Sequence, residues 1–140
     1  MVEQVDILLV DDSQSDVKLT LHALESERLQ HRLKVLRDGE EALKFLLSCV
    51  GAVPRLILLD LKLPKVDGHE VLKAVKSDPA MKSVPVVILT SSGQESDIRR
   101  SYGLGANSYV QKPVDFDAFC DAIQQVRDYW LELNRSPGSN

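Results

Sequence analysis

The chain has 140 residues, 44% hydrophobic and 27% charged, which suits one compact domain and leaves little room for a second. A formal charge of -4, from 21 acidic and 17 basic residues, argues against a protein that binds nucleic acid by neutralising phosphates. The longest apolar runs, residues 7–10 and 56–59 among them, fall far short of the roughly 20 residues that cross a membrane, so a soluble protein is expected. No basic segment precedes the first apolar run, which makes a secretory signal unexpected and the cytoplasm the expected location. Cys49 and Cys120 stand apart without metal-ligand or disulfide spacing and are expected to be reduced apolar residues.

In chain order, short apolar runs alternate with stretches of helical spacing. Strands are predicted at 5–10, 34–36 (the weakest), 56–59, 86–89 and 109–110. Helices are predicted at 15–27, 40–47, 68–76, 95–102 and 115–134, the fourth being the poorest and stopping near Gly103 and Gly105. Three of the five strands are almost wholly apolar, as strands are when helices cover both faces of a parallel sheet. The pattern predicts a doubly wound α/β domain over residues 1–135, with a flexible tail at 136–140. In such a fold, ligands bind beyond the carboxyl ends of the strands.

Those ends carry the polar chemistry. Asp11 and Asp12 follow the first strand and Asp60 the third, Thr90 ends the fourth, and Lys112-Pro113 follows the fifth. Any one of these is an ordinary loop or capping residue; together they are harder to dismiss. If the first and third strands are neighbours, three carboxylates converge, an unfavourable arrangement unless a cation or proton compensates. Hard oxygen donors without nearby His or Cys favour Mg²⁺ over zinc. A hydroxyl and an ammonium at the same edge supply donors for a tetrahedral oxyanion, most naturally a phosphoryl group.

This constellation resembles the receiver domains of two-component response regulators, from Ile7 to Leu133. Asp11-Asp12 match the family's acidic pair, Asp60 its phosphoacceptor, Pro64 and Asp67-Gly68 the following loop, Thr90 the switch hydroxyl and Lys112-Pro113 the lysine before proline. The segment Asp60-Leu61-Lys62-Leu63-Pro64-Lys65-Val66-Asp67-Gly68, with Tyr129-Trp130 near the end, looks most like the stand-alone receivers that serve phytochrome-type histidine kinases. The resemblance implies a flavodoxin-like sheet of order 2-1-3-4-5 with five helices. It implies Mg²⁺ held by Asp12, Asp60 and the backbone carbonyl of Lys62, with Asp11 acting through water. It also implies that Asp60 accepts a phosphoryl group, that Lys112 meets the added charge, and that Thr90 and Tyr109 form a hydroxyl and aromatic switch. A cis bond before Pro113 is expected on the same ground. Lys62 and Ser92 occupy positions over the site that look variable in the family and should tune the lifetime of the phosphorylated state. His22, His31 and His69 are expected to be solvated or capping residues.

The last predicted helix places Phe116, Phe119, Ile123, Val126, Trp130 and Leu133 on a heptad seam, near 30 Å long at about 1.5 Å per residue. The core accounts for its middle; Phe116, Trp130 and Leu133 are expected on a partner surface, a homodimer being the first choice. Other expected partners are the sensor kinase and a histidine phosphotransfer protein, with no nucleic acid and no membrane. The protein is expected to be a phosphoacceptor rather than an enzyme with a separate substrate. A haloacid-dehalogenase-type phosphatase needs an aspartate two residues after the nucleophile, where Lys62 stands. A pseudo-receiver would usually lack a site residue, and a nucleotide-binding domain would want glycines where Asp11-Asp12-Ser13-Gln14 stands.

Overall fold

A computed structural model describes residues 4–25, 31–49 and 51–137. Its elements are β1 (Ile7–Val10), α1 (Gln14–Leu24), β2 (Leu33–Leu36), α2 (Gly39–Leu47), β3 (Leu56–Leu59), α3 (Gly68–Ser77), β4 (Val86–Thr90), α4 (Glu95–Gly103), β5 (Ser108–Gln111) and α5 (Phe116–Asp128), continued by a π-helical turn at Tyr129–Leu133. Five parallel strands lie in the order β2-β1-β3-β4-β5, the flavodoxin-like arrangement that the family resemblance implies. The expected end of the first helix at 26–27 and the tail residues 138–140 lie outside the described residues.

Burial explains which strands were legible. All residues of β1, β3 and β4 are buried, so their side chains alternate between two apolar layers. Leu8, Val10, Ile57, Leu59 and Ile88 join Val71, Leu72 and Val75 of α3 in one layer. Ile7, Leu9, Leu58 and Leu89 join Val17 of α1 with Phe119 and Ile123 of α5 in the other. Each such side chain, fully buried, contributes about 1.5–3 kcal/mol. The edge strands β2 and β5 are only partly buried and carry polar residues, which is why they read weakly.

Four helices start where an Asp or Ser accepts a backbone N–H three residues on: Ser13 from Asp16, Asp38 from Glu41, Asp67 from Glu70 and Asp115 from Ala118. Helix α4 lacks such a cap and buries only Ser101. The C-terminal seam departs from expectation. Arg127 is already buried within α5, and the π turn after Asp128 rotates the following residues so that Leu131 faces inward. Trp130 is partly buried and packs against the core. Leu133 is 73% exposed and Phe116 49%, but they lie at opposite ends of the element, roughly 25 Å apart at 1.5 Å per residue.

Two histidines are not simply solvated. His69 is buried, with Nε2 3.0 Å from Ser101 Oγ, joining α3 to α4. His31 Nε2 is buried with no hydrogen-bond partner among the described residues. Burial pushes the His31 pKa below 6.5; Arg55 and Arg127 act in the same direction, and Asp6 and Glu132 oppose it. The unfolded chain therefore binds this proton more readily, and the associated stability, present above the unfolded pKa, is lost as pH falls through it. Urea midpoints should drop between about pH 7 and pH 5, and His31→Leu should flatten that drop.

Gly68 ties the fold to the strand ends. Its N–H donates to Leu61 O at 2.8 Å, and a Cβ there would collide with the Asp60 carbonyl and sit 2.6 Å from Leu61 Cα. Gly68→Ala should cost about 2 kcal/mol in urea unfolding, because backbone on both sides has to shift. Gly103→Ala, which meets open space at the end of α4, should be close to neutral in the same assay.

Candidate functional site

The ladder hydrogen bonds run one residue past the apolar strands and carry the polar residues into place. Val10 pairs with Leu59 in register, and Asp60 N donates to Val10 O at 3.0 Å, so Asp11 and Asp60 emerge side by side. Lys112 N donates to Thr90 O at 2.7 Å, extending β5 beyond Gln111 toward the same edge.

From there the Lys112 ammonium reaches three carboxylates: Asp11 Oδ2 at 2.8 Å, Asp16 Oδ2 at 2.9 Å and Asp60 Oδ2 at 2.9 Å. The Lys112 side chain is 7% exposed and that of Asp11 1%. Burial alone would lower the lysine's pKa, but the hydrogen bonds it donates to the three carboxylates outweigh it and hold the pKa well above the ordinary value. Burial pushes Asp11 up from the usual carboxylate range, against the opposing bonds from Lys112 and Ser13 N–H.

The arrangement gathers Asp11, Asp60 and Lys112 as the sequence leads one to expect, and adds Asp16. No strand-end rule points to Asp16, since it lies in the first turn of α1. The signal was the Ser13 cap, which starts the helix early enough to bring its third residue back over the strand ends. Asp12 is exposed and, with Lys62, Leu63, Pro64, Asp67, His69, Asp97 and Arg100, lines a cleft of about 510 Å³ beside Asp60. Lys62 N approaches Asp60 Oδ1 at 3.4 Å, and its side chain is exposed at the cleft rather than bound to the carboxylates.

Thr90 is fully buried, and its Oγ1 meets Ser92 N at 3.4 Å. Tyr109 is half-buried; its hydroxyl donates to Ser92 O at 2.9 Å, and burial raises its pKa. Ser92 does not project over Asp60: its hydroxyl donates to Asp97 Oδ2 at 2.6 Å, at the start of α4. The expected cis bond before Pro113 is absent; every peptide among the described residues is trans. The long stem of Lys112 reaches the pocket from an extended strand, so its placement needs no cis isomer.

Among the described residues, no three His, Cys, Asp or Glu side chains form a ready cage for a metal ion. The donor set nevertheless fits a hard divalent cation. Three carboxylates around one ammonium leave two formal negative charges over, and Mg²⁺ takes only one or two carboxylates directly and keeps water for the rest. No helix among the described residues is long and apolar enough to cross a membrane.

Comparison with known proteins agrees with this geometry. The response regulator receiver domain family matches residues 7–124. The probable methanogenesis regulatory protein FilR2 of Methanothrix harundinacea is 43% identical over 135 residues, 94% of this chain and 87% of that protein. Response regulator Rcp1 of Synechocystis is 40% identical over 95% of this chain and 93% of its own length. The manganese-bound structure of Rcp1 aligns with a TM-score of 0.88 over 96% of this chain and 99% of that one. The phosphorylated cyanobacterial phytochrome response regulator RcpA aligns with a TM-score of 0.91 and 37% identity, over 97% of this chain and all of that one. Matched nearly end to end with such regulators, and with their strand order, the chain belongs to the response regulator receiver domain family.

Proposed function

We propose that residues 1–135 form one receiver unit that accepts a phosphoryl group on Asp60 from a sensor histidine kinase, of phytochrome type by similarity to RcpA. The observation that carries this reading is the Lys112 ammonium, buried at the strand ends 2.9 Å from Asp60 and 2.8 Å from Asp11, beside an open cleft. In the transfer, an Asp60 oxygen bonds to phosphorus as the bond from phosphorus to the donor imidazole nitrogen breaks and its electron pair returns to that nitrogen. Lys112 then meets a phosphoryl oxygen at roughly 2.7–2.9 Å. Asp12, Asp60 and the Lys62 carbonyl would hold Mg²⁺, with Asp11 acting through water. Bound there, the cation offsets the charge of the carboxylates and the incoming phosphoryl group. The same site would serve return of the group to a histidine phosphotransfer protein. The chain's own catalysis is confined to gaining and losing this group.

The signal leaves through Thr90. A Thr90 hydroxyl drawn to a phosphoryl oxygen gives up the Ser92 amide, and Tyr109 and α4 are tied to that same residue through its carbonyl and hydroxyl. The weakly anchored α4 thus changes the surface offered to partners. The homodimer contact in this reading uses the C-terminal turn, where Tyr129 and Leu133 are exposed and the partly buried Trp130 ring meets Tyr129 edge-on, with Phe116 outside the patch.

Intact mass after incubation with Mg²⁺ and acetyl phosphate tests the acceptor reading. Wild type should gain one phosphoryl adduct and Asp60→Asn none. No adduct from acetyl phosphate or from a phosphorylated histidine kinase would leave a pseudo-receiver interaction module. The dimer is tested by light scattering on the eluting protein: wild type should run as a dimer and Leu133→Asp as a monomer. A wild type that stays monomeric with and without phosphorylation rules the contact out.

A further inference from the structure

The third carboxylate on Lys112 has no part in the function so far. An acidic residue three positions after a helix cap is ordinarily explained by a capping box, in which its carboxylate accepts the cap residue's own N–H. Here that N–H is already taken: Ser13 N donates to Asp11 Oδ1 at 3.0 Å. The Asp16 carboxylate points instead to Lys112, with Oδ2 2.9 Å from Nζ and its side chain 32% exposed, while Asp16 N meets Ser13 Oγ at 3.3 Å. The backbone of Asp16 therefore serves the cap and its carboxylate serves the lysine.

We propose that Asp16 is a positioning residue for phosphoryl acceptance: it restrains the Lys112 ammonium on the α1 side of the pocket and adds a fixed negative charge to the site. This inference rests on the acceptor reading of Asp60. Two opposed consequences follow from one carboxylate. Its charge strengthens attraction for a divalent cation at the neighbouring aspartates. It also competes with the incoming phosphoryl oxygens for Lys112 and repels the anionic donor. Asp16 thus exchanges speed of phosphoryl acceptance for cation affinity, a balance set from α1 rather than from the strand ends.

The variants are Asp16→Asn, which keeps the shape and removes the charge, and Asp16→Glu, which restores it. Two quantities are measured on the full chain: Mg²⁺ affinity by calorimetry without any phosphodonor, and the rate of phosphoryl uptake from acetyl phosphate at saturating Mg²⁺ by intact mass. In the uptake step, the bond from Asp60 oxygen to phosphorus forms, the bond from phosphorus to the acetyl oxygen breaks, and acetate departs with its electron pair. Asp16→Asn should weaken Mg²⁺ binding by about fivefold and raise saturated uptake by about threefold, with Asp16→Glu returning both toward wild type. A role confined to folding would lower both quantities together and would not be rescued by Glu. Either that outcome or an Asp16→Asn protein equal to wild type in both measurements overturns the proposal. A wild type that takes up no phosphoryl group overturns the acceptor reading itself, and this inference falls with it.

Discussion

A buried ammonium shared by three carboxylates is the constraint around which this receiver is built. Taking Lys112 and Asp11 out of water costs several kcal/mol each, and only close pairing and satisfied hydrogen bonds repay it. The fold meets that condition by delivering every partner from a different element: Asp11 from β1, Asp16 from α1, Asp60 from β3 and Lys112 from β5. Removing any one partner leaves charge behind in the pocket. The site is therefore balanced but not neutral, and the surplus of negative charge gives it an affinity for cations and a sensitivity to a new anionic group on Asp60.

Parallel strands are what make such convergence possible. All five run the same way, so their carboxyl ends share one edge, and the register of β1 on β3 sets Asp11 beside Asp60. The apolar residues of those strands are buried on both faces and fix the register, because a slip of one residue would exchange the two core layers. Gly68 closes the arrangement by letting the start of α3 lie directly on the backbone of Asp60 and Leu61. Core packing and site geometry are thus one structural fact.

Against this packed center, α4 is the helix with the fewest buried residues. It buries one residue, Gln94 supplies no side-chain cap at its start, and Ser92 and His69 make polar bonds to it. Polar bonds of that kind exchange partners at little net cost, whereas a packed helix face does not. A change at Thr90 therefore reaches a surface that has the freedom to respond, and Tyr109 sits between the two.

Much of this was readable from the residues alone. Apolar runs located β1, β3 and β4, whose burial on both faces leaves an unbroken hydrophobic signal, and β3 matched to the residue. The polar residues after β1, β3 and β5 marked Asp11, Asp60 and Lys112, because strand ends in a parallel sheet have one destination. Pattern could not reveal what depends on the path of a side chain or a change of helical pitch. Asp16 joins the site through the direction of a helix turn, Ser92 bends away toward Asp97, Lys112 needs no cis bond, and the π turn at Tyr129 moves Leu131 into the core and leaves Trp130 partly packed on it. Periodicity assumes a constant rotation per residue and says nothing of contacts between distant segments. Sequence by itself therefore determined the class of fold and the chemistry at its edge, and tertiary structure decided which carboxylates share the lysine.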